Sequence, residues 1–324
     1  MATMTKPFAG IDLGGTNMQI GVVSHDLKLL APAKRKTKSE DGLDAIIARI
    51  VSGVQEACTT AAIKVSDLGG IGIGAPGAVD PYRGIVLEAV NLRWKDVPLA
   101  EILEKRLKVP VIVDNDVNVA VLGENALGAG QQSANILGVW VGTGVGGGLI
   151  LNGKLFYGHF LSAGEIGHTI LFPNNPKGNR SVEHNCSRTT VVDRIVRLIK
   201  SGQKSSLGDE IAGDYDNVKS RTVAKHYLAD DKLVREVVDN AADLLGVAVA
   251  NAVTLLSLER VVVGGGLTEA IGKPFVDRIH KAAKELVFPE ACRKFDIVAS
   301  KLEDNAGVFG AAMLAIERVR EAKK

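Results

Sequence analysis

Two α/β domains, each a mixed sheet flanked by helices, are the fold this sequence predicts. Three observations lead there. The chain has 324 residues, room for two domains of ordinary size, each with its own core. Apolar runs of strand length alternate with stretches whose apolar residues recur at helical spacing. One pattern also occurs twice: an apolar strand, a turn containing Gly and Thr, and a second apolar strand, at residues 7–24 and again at 134–150. Such a repeat suggests two related domains facing a common ligand, although two hairpins of similar composition would look the same.

Composition narrows the class. Hydrophobic residues make up 46% and charged residues 23%, as in a soluble globular protein. The formal net charge is +2 and no long basic block exists, which argues against a nucleic-acid partner. Cys58, Cys186 and Cys292 are far apart and odd in number, with no Cys-x-x-Cys pair. That argues against a disulfide framework and for a reducing cytosol. The first residues meet Asp12 before any apolar h-region develops, so no secretory signal is expected. No run is read as a membrane span, so no membrane partner is expected.

Residues 7–13 and 18–24 (PFAGIDL and MQIGVVS) read as strands joined by Gly14, Gly15, Thr16 and Asn17, a hairpin composition. Asp12 is odd inside an apolar strand. Either it hydrogen-bonds the turn, or the turn's bare N–H groups face a phosphate with the acid near a metal. Residues 39–62 read as a helix, with Leu43, Ile46, Ile47, Ile50, Val51 and Val54 on one face. Residues 69–79 give a strand running into a Pro76-Gly77 turn, and Asn91 to Trp94 a loop. Trp94 is either a sugar-stacking platform or, the commoner role, packing at a rim.

After a short helix at 98–107, the run VPVIVD delivers Asn115 and Asp116 to the C-terminal end of a strand, and a helix follows at 117–127. A carboxylate at such a junction lies in a crevice, the usual place for a ligand in an α/β sheet. Asp116 therefore either takes a proton from a substrate hydroxyl or caps the helix.

Residues 134–150 give a strand, a glycine turn that leaves the backbone uncovered at Gly142, Thr143 and Gly144, and a second strand. Glu165 and His168 stand three apart and would share a face of a helical turn. Helices read at 189–200 and 231–257, with the polar stretch 201–219 between them as a mobile connection. Residues 260–269 form a strand ending in Gly264, Gly265 and Gly266 at a helix start, where a flat ligand or phosphate can approach the backbone. A helix at about 274–286, a strand at 294–299 and a helix at 304–322, opened by small residues that allow tight packing, complete the pattern.

Singly these motifs are weak, but their order is specific: IDLGGT, GAPG, DNDVN, VGTGVGGG, GEIGH, VVVGGG and NAGVFGAA. The series, from about residue 8 to 316, resembles the ROK family (repressors, open reading frames and sugar kinases), within the actin-like ATPase superfamily. The likeness is greatest to its glucokinases. It implies two ribonuclease-H-like domains with an inter-domain cleft, the smaller being residues 1–116 plus 306–324 and the larger 117–305. It implies ATP-dependent phosphorylation of a hexose 6-hydroxyl, with glucose leading, Mg²⁺ bridging the ATP phosphates, and a cytoplasmic homodimer.

Carried over residue by residue, Asp116 matches the general base and Asn115 a sugar-binding residue. Gly77, Asn91, Glu165, His168 and Glu183 match positions that bind sugar hydroxyls. Asp12, Gly14, Gly15, Thr16 and Asn17 match the first phosphate turn, with Asp12 near the metal, directly or through water. Gly142, Thr143 and Gly144 match the second turn, and Gly264, Gly265 and Gly266 the adenosine-contacting segment.

One departure is visible. The family usually carries a zinc site of one His and three Cys just before the equivalent of Glu183. Here Asn174, Pro176 and Ser181 stand where those cysteines would be, so no structural zinc is expected, and His168 needs another partner. Within the same resemblance, kinases for N-acetylhexosamines, mannose or fructose share most of these residues, and polyphosphate is an alternative donor. A repressor of the family would carry a helix-turn-helix ahead of the first motif, for which the start near residue 7 leaves no room. A non-catalytic sugar sensor would be expected to lose Asp116 or the glycine turns, all of which are present.

Overall fold

The computed structural model describes residues 6–322. They divide into two compact units. Unit 1 runs to Gln131 and adds Tyr157–Ala163 and the chain from Asp304, while unit 2 is Gln132–Phe156 with Gly164–Glu303.

Unit 1 contains β1 (Phe8–Leu13), β2 (Asn17–Val23), β3 (Leu29–Lys36), β4 (Ile71–Ala75), β5 (Ala78–Asp80), β6 (Ile85–Ala89), β7 (Trp94–Val97) and β8 (Val111–Asn115). Its main sheet has the order β3-β2-β1-β4-β8, and β5, β6 and β7 form a small sheet of their own. The β2 pairings with β1 and β3 are antiparallel, whereas β1, β4 and β8 run parallel. Side chains alternate across the sheet, so two cores form. Ile11, Leu13 and Ile73 pack with Ile46, Ile47, Ile50 and Val54 of the helix Leu43–Thr60. Phe8 and Val23 pack instead with Val308, Ala312 and Ile316 of the helix Ala306–Glu321.

The last helix lies so close to the sheet that side chains are excluded. A Cβ on Gly10 would stand 1.9 Å from the Val308 carbonyl oxygen, and one on Gly72 1.7 Å from that of Ala311. The same helix crosses Asp116–Leu127 at Gly123 and Gly310, where a Cβ on Gly310 would lie 1.6 Å from the Val119 carbonyl oxygen. This close crossing keeps residues 116–127 in unit 1, so the expected boundary between 116 and 117 falls inside the unit.

Unit 2 contains β9 (Ile136–Val141), β10 (Val145–Leu151), β11 (Lys154–Leu155), β12 (Arg260–Gly264) and β13 (Asp296–Ala299), in the order β11-β10-β9-β12-β13. Three strands are antiparallel neighbours and β9, β12 and β13 run parallel. The two main sheets thus share one strand order and one pattern of directions. The helix Lys232–Leu256 is long and apolar enough to cross a membrane by length and composition, which corrects the expectation of no such run. Its stripe of Val234, Val238, Ala242, Leu245 and Val249 is buried in unit 2, and Asp243 on another face holds Arg278 through two bonds of 2.6 Å.

The stretch 201–219 is not a featureless connection. It holds the helix Ser206–Ile211 and a 3₁₀ turn at Tyr215–Asn217, followed by an unanticipated helix, Ser220–Leu228. Its polarity misled because the polar groups are consumed internally. Asp231 accepts from Ser205 Oγ at 2.8 Å, and from Ser206 N and Oγ at 2.6 and 2.8 Å. Ser206 Oγ also meets His226 Nδ1 at 2.7 Å.

Candidate active site

Parallel register brings the first set of expected residues to one sheet edge. Asp12 pairs with Gly74, Gly74 with Asp114, and Ala75 with Asn115. The turn after β1 and the Asn115–Asp116 step after β8 therefore leave the same edge of unit 1. Thr37, fully buried, fixes the turn: its Oγ1 donates to the Gly14 carbonyl at 2.6 Å and its N–H to the Thr16 carbonyl at 2.8 Å. A trans peptide sets N–H opposite C=O, so tying the Gly14 carbonyl inward turns the Gly15 N–H outward. Asn91 stands beside this turn, since a Cβ on Gly15 would lie 3.3 Å from its Cβ. Asn17 already belongs to β2, paired with Lys36.

The Asp12 carboxyl sits against Gly307, where a Cβ would stand 2.8 Å from Oδ2. Burial first, and the negative charge of Asp304 second, push its pKa up to about 6.

Asn115 is the residue that caps the helix. Its Oδ1 accepts from Val117 N at 2.9 Å and from Asn118 N at 3.1 Å, while its Nδ2 donates to the Gly77 carbonyl at 3.0 Å. Asp116 is the first helical residue, half-buried, with Oδ1 accepting from Val117 N at 2.9 Å. Gly77 has φ +87°, and a Cβ there would meet the Glu88 carbonyl at 2.1 Å, so only glycine fits this turn, whose carbonyl accepts from Asn115. Trp94 is 4% exposed, which settles it as packing rather than a stacking platform. Sequence reading passed over Asp114, buried beneath this step, whose Oδ2 accepts from the Tyr157 hydroxyl at 2.6 Å. Burial raises the Asp114 pKa against the lowering effect of its hydrogen bonds.

The second set lies in unit 2. In the turn between β9 and β10, Gly142 N donates to the Gly144 carbonyl at 2.9 Å. The carbonyls of Gly142 and Thr143 accept from Arg188 N and Thr189 Oγ1, each at 2.9 Å. As in the first turn, tied carbonyls turn the Thr143 and Gly144 N–H groups the other way. Glu183 reaches into this turn, its Oε2 accepting from Val145 N at 2.9 Å, and a Cβ on Gly144 would stand 2.2 Å from that oxygen.

Glu165 and His168 bracket a 3₁₀ turn at Ile166–His168, with Oε2 and Nε2 3.9 Å apart. Burial raises the Glu165 pKa, His168 opposes the rise and Glu183 adds to it, so the three expected residues sense one another. Ser181, standing where the family has a cysteine, places its hydroxyl 2.9 Å from His184 Nδ1. Cys186 is fully buried, and burial pushes its thiol up to about 12. Among the described residues no cluster of three His, Cys, Asp or Glu is arranged to hold a metal. In the third glycine segment, Gly264 is needed for Trp140, whose ring a Cβ would meet at 2.6 Å. Gly265 has φ +89° and Gly266 opens a helix.

The sequence pattern of the ROK family matches residues 8–318. The chain belongs to the ROK family. The glucokinase of Halalkalibacterium halodurans is 32% identical over 326 residues, covering 98% of this chain and 97% of its own. That of Thermotoga maritima is 32% identical over 317 residues, covering 96% and 97%. Among solved structures, a ROK family glucokinase from Streptomyces griseus, in complex with glucose and AMPPNP, superposes with a TM-score of 0.84 at 28% identity. That match covers 96% of this chain and 99% of the other. The fold of this ROK chain is therefore that of its sugar-kinase relatives, with mixed sheets and flanking helices.

Proposed function

We propose that this chain transfers the terminal phosphoryl group of ATP to the 6-hydroxyl of a hexose, glucose first, with Asp116 as general base. The observation that carries the proposal is the shared sheet edge: the acid after β8 and the glycine turn after β1 leave one side of one sheet. The capping duty falls to Asn115, so the Asp116 carboxylate is not needed to start the helix. Glucokinase relatives at 32% identity over nearly the full chain point the same way.

Phosphoryl transfer asks for positioning and charge stabilisation more than covalent chemistry. Asp116 orients the hydroxyl and accepts its proton as the oxygen attacks. The outward N–H groups at Gly15, Thr143 and Gly144 hold phosphate oxygens. Asn91, Asn115, Glu165, His168 and Glu183 bind the sugar hydroxyls, each of which donates and accepts, and Gly265 and Gly266 let adenosine approach. Asp12 and Asp304 offer hard oxygen donors whose mutual repulsion a Mg²⁺ ion would relieve, and the ion would supply neutralisation of the phosphate charge. The shared strand order of the two main sheets supports a ribonuclease-H-like origin for both units.

We further propose a cytosolic homodimer without structural zinc. Three free thiols suit a reducing compartment. Leu255, Leu286 and Phe288, 82%, 56% and 73% exposed at neighbouring helix ends of unit 2, suit a contact between copies. Light scattering reading a monomer at micromolar concentration would remove the dimer.

A coupled ADP-release assay over hexoses and N-acetylhexosamines, with and without Mg²⁺, tests the activity. Release with glucose that is lost in Asp116→Ala is the expected result. Unchanged turnover in that variant, or no release with any sugar, defeats the proposal.

A further inference from the structure

Asp114 is 1% exposed and is held by donors from three parts of unit 1. Its Oδ1 accepts from Asn115 N at 2.7 Å and from Asn118 Nδ2 at 3.0 Å. Its Oδ2 accepts from the Tyr157 hydroxyl at 2.6 Å, a short charge-assisted bond. Tyr157 comes from the seven-residue stretch Tyr157–Ala163, which belongs to unit 1 although its neighbours in sequence do not. The positive charge of Arg318 also acts on the Tyr157 hydroxyl. The Arg318 guanidinium lies 5.3 Å from the Tyr82 ring and 3.7 Å from Glu321, and the Tyr82 ring meets Tyr157 edge-on at 5.9 Å.

A buried carboxylate is an inefficient way to stabilise a fold, since apolar residues of similar volume fill the same space without desolvation. What this one does is local. Its two Oδ1 bonds go to Asn115 and Asn118, the residues on either side of the Asp116–Val117 step. They fix the backbone angle at Asn115 and the first helical turn, from which Asn115 reaches the Gly77 carbonyl.

We propose that Tyr157, acting through Asp114, is a positioning residue for the phosphoryl transfer: it locks the turn from Asp114 to Asn118 so that the Asp116 carboxylate keeps one orientation toward the sugar hydroxyl. The proposal rests on the reading of Asp116 as the base. Misplacing a reacting group by about 1 Å is enough to slow a reaction severely, so the lock bears on turnover more than on binding.

The test uses the full chain with Tyr157→Phe, which removes one oxygen and keeps the ring against Tyr82, together with Asp114→Asn, the double variant and Asp116→Ala. In Tyr157→Phe, kcat with the hexose that turns over best falls about tenfold or more while the KM for ATP holds. The acid limb of kcat also moves to higher pH, because a carboxylate that loses a donor protonates more easily. Asp114→Asn shows a similar loss, and the double variant loses no more than either alone. Wild-type kcat and an unmoved acid limb in Tyr157→Phe, with only a lowered Tm, would show a purely structural bond and overturn the proposal. So would additive losses in the double variant. If Asp114→Asn does not fold, the Tyr157→Phe measurements decide alone. Full activity in Asp116→Ala would instead defeat the base assignment, a result distinct from any outcome at Tyr157.

Discussion

Asp12 works against the fold it belongs to. Its pKa of about 6, against an ordinary 3.8, means that the native state holds its proton more tightly than the unfolded chain does. With more protons bound in the native state, stability falls as pH rises from about 4 to about 6, and the loss is complete above that. A rise of that size corresponds to roughly 3 kcal/mol of stability at neutral pH. Asp12→Asn is therefore expected to melt at a higher temperature than the parent at pH 8, with the difference vanishing near pH 4, while ADP release is lost. Melting curves across that range check it. Gly144 supplies a contrasting case. In Gly144→Ala the new methyl meets the flexible end of Glu183, so the fold gives way cheaply. The expected outcome is a KM for the sugar raised about tenfold with Tm within a few degrees, on the scale of one lost charged hydrogen bond. Asp116 and the glycine turns stood out in the sequence as candidates because each sits in a motif of the ordered series, whereas Asn91 entered only through the family resemblance. The division of labour between Asn115 and Asp116 was not, since either residue type caps a helix. Asp114 was invisible because its partner Tyr157 is 43 residues away and in no motif.

Elements were legible where apolar periodicity was strong, and illegible where polar residues hid a tertiary role. The strands β1, β4, β8, β9 and β12 and the long helices follow directly from their patterns. Residues 201–219 read as a linker because their Ser, Asp and Lys content matches one, yet Asp231 gathers three of those donors into a cap. The crossing of Asp116–Leu127 with Ala306–Glu321 shows the opposite limit. Small residues in NAGVFGAA announced close packing but not its partner. At Gly310 the obstacle to a methyl group is the Val119 carbonyl, backbone that cannot step aside. Gly310→Ala should cost about 3 kcal/mol or more and lower Tm by roughly 6–12 °C. Because the strained helix is the one headed by Asn115 and Asp116, kcat should fall as well. A variant with parental Tm would show that the two helices separate freely.

At the scale of the molecule, the recurring strand–turn–strand pattern in the sequence corresponds to two main sheets of equal order and direction. Composition alone did not reveal strand order, because order is set by pairings between distant segments. The domain boundary was misplaced for the same reason. A chain ending at Glu303 lacks the helix that covers β1 and β4, so it should lose the urea transition of unit 1 while unit 2 keeps its own. A single unaltered transition in that shortened chain would contradict the division. The return of the last helix to the first strand also bears on biosynthesis. Gly10 leaves the ribosome long before the backbone it must touch, at Val308, is made. Closing so long a loop is entropically unfavourable and impossible before translation reaches it. The early strands must therefore wait, with one apolar face open to chaperones, while the segment that forms unit 2 is synthesised and free to fold.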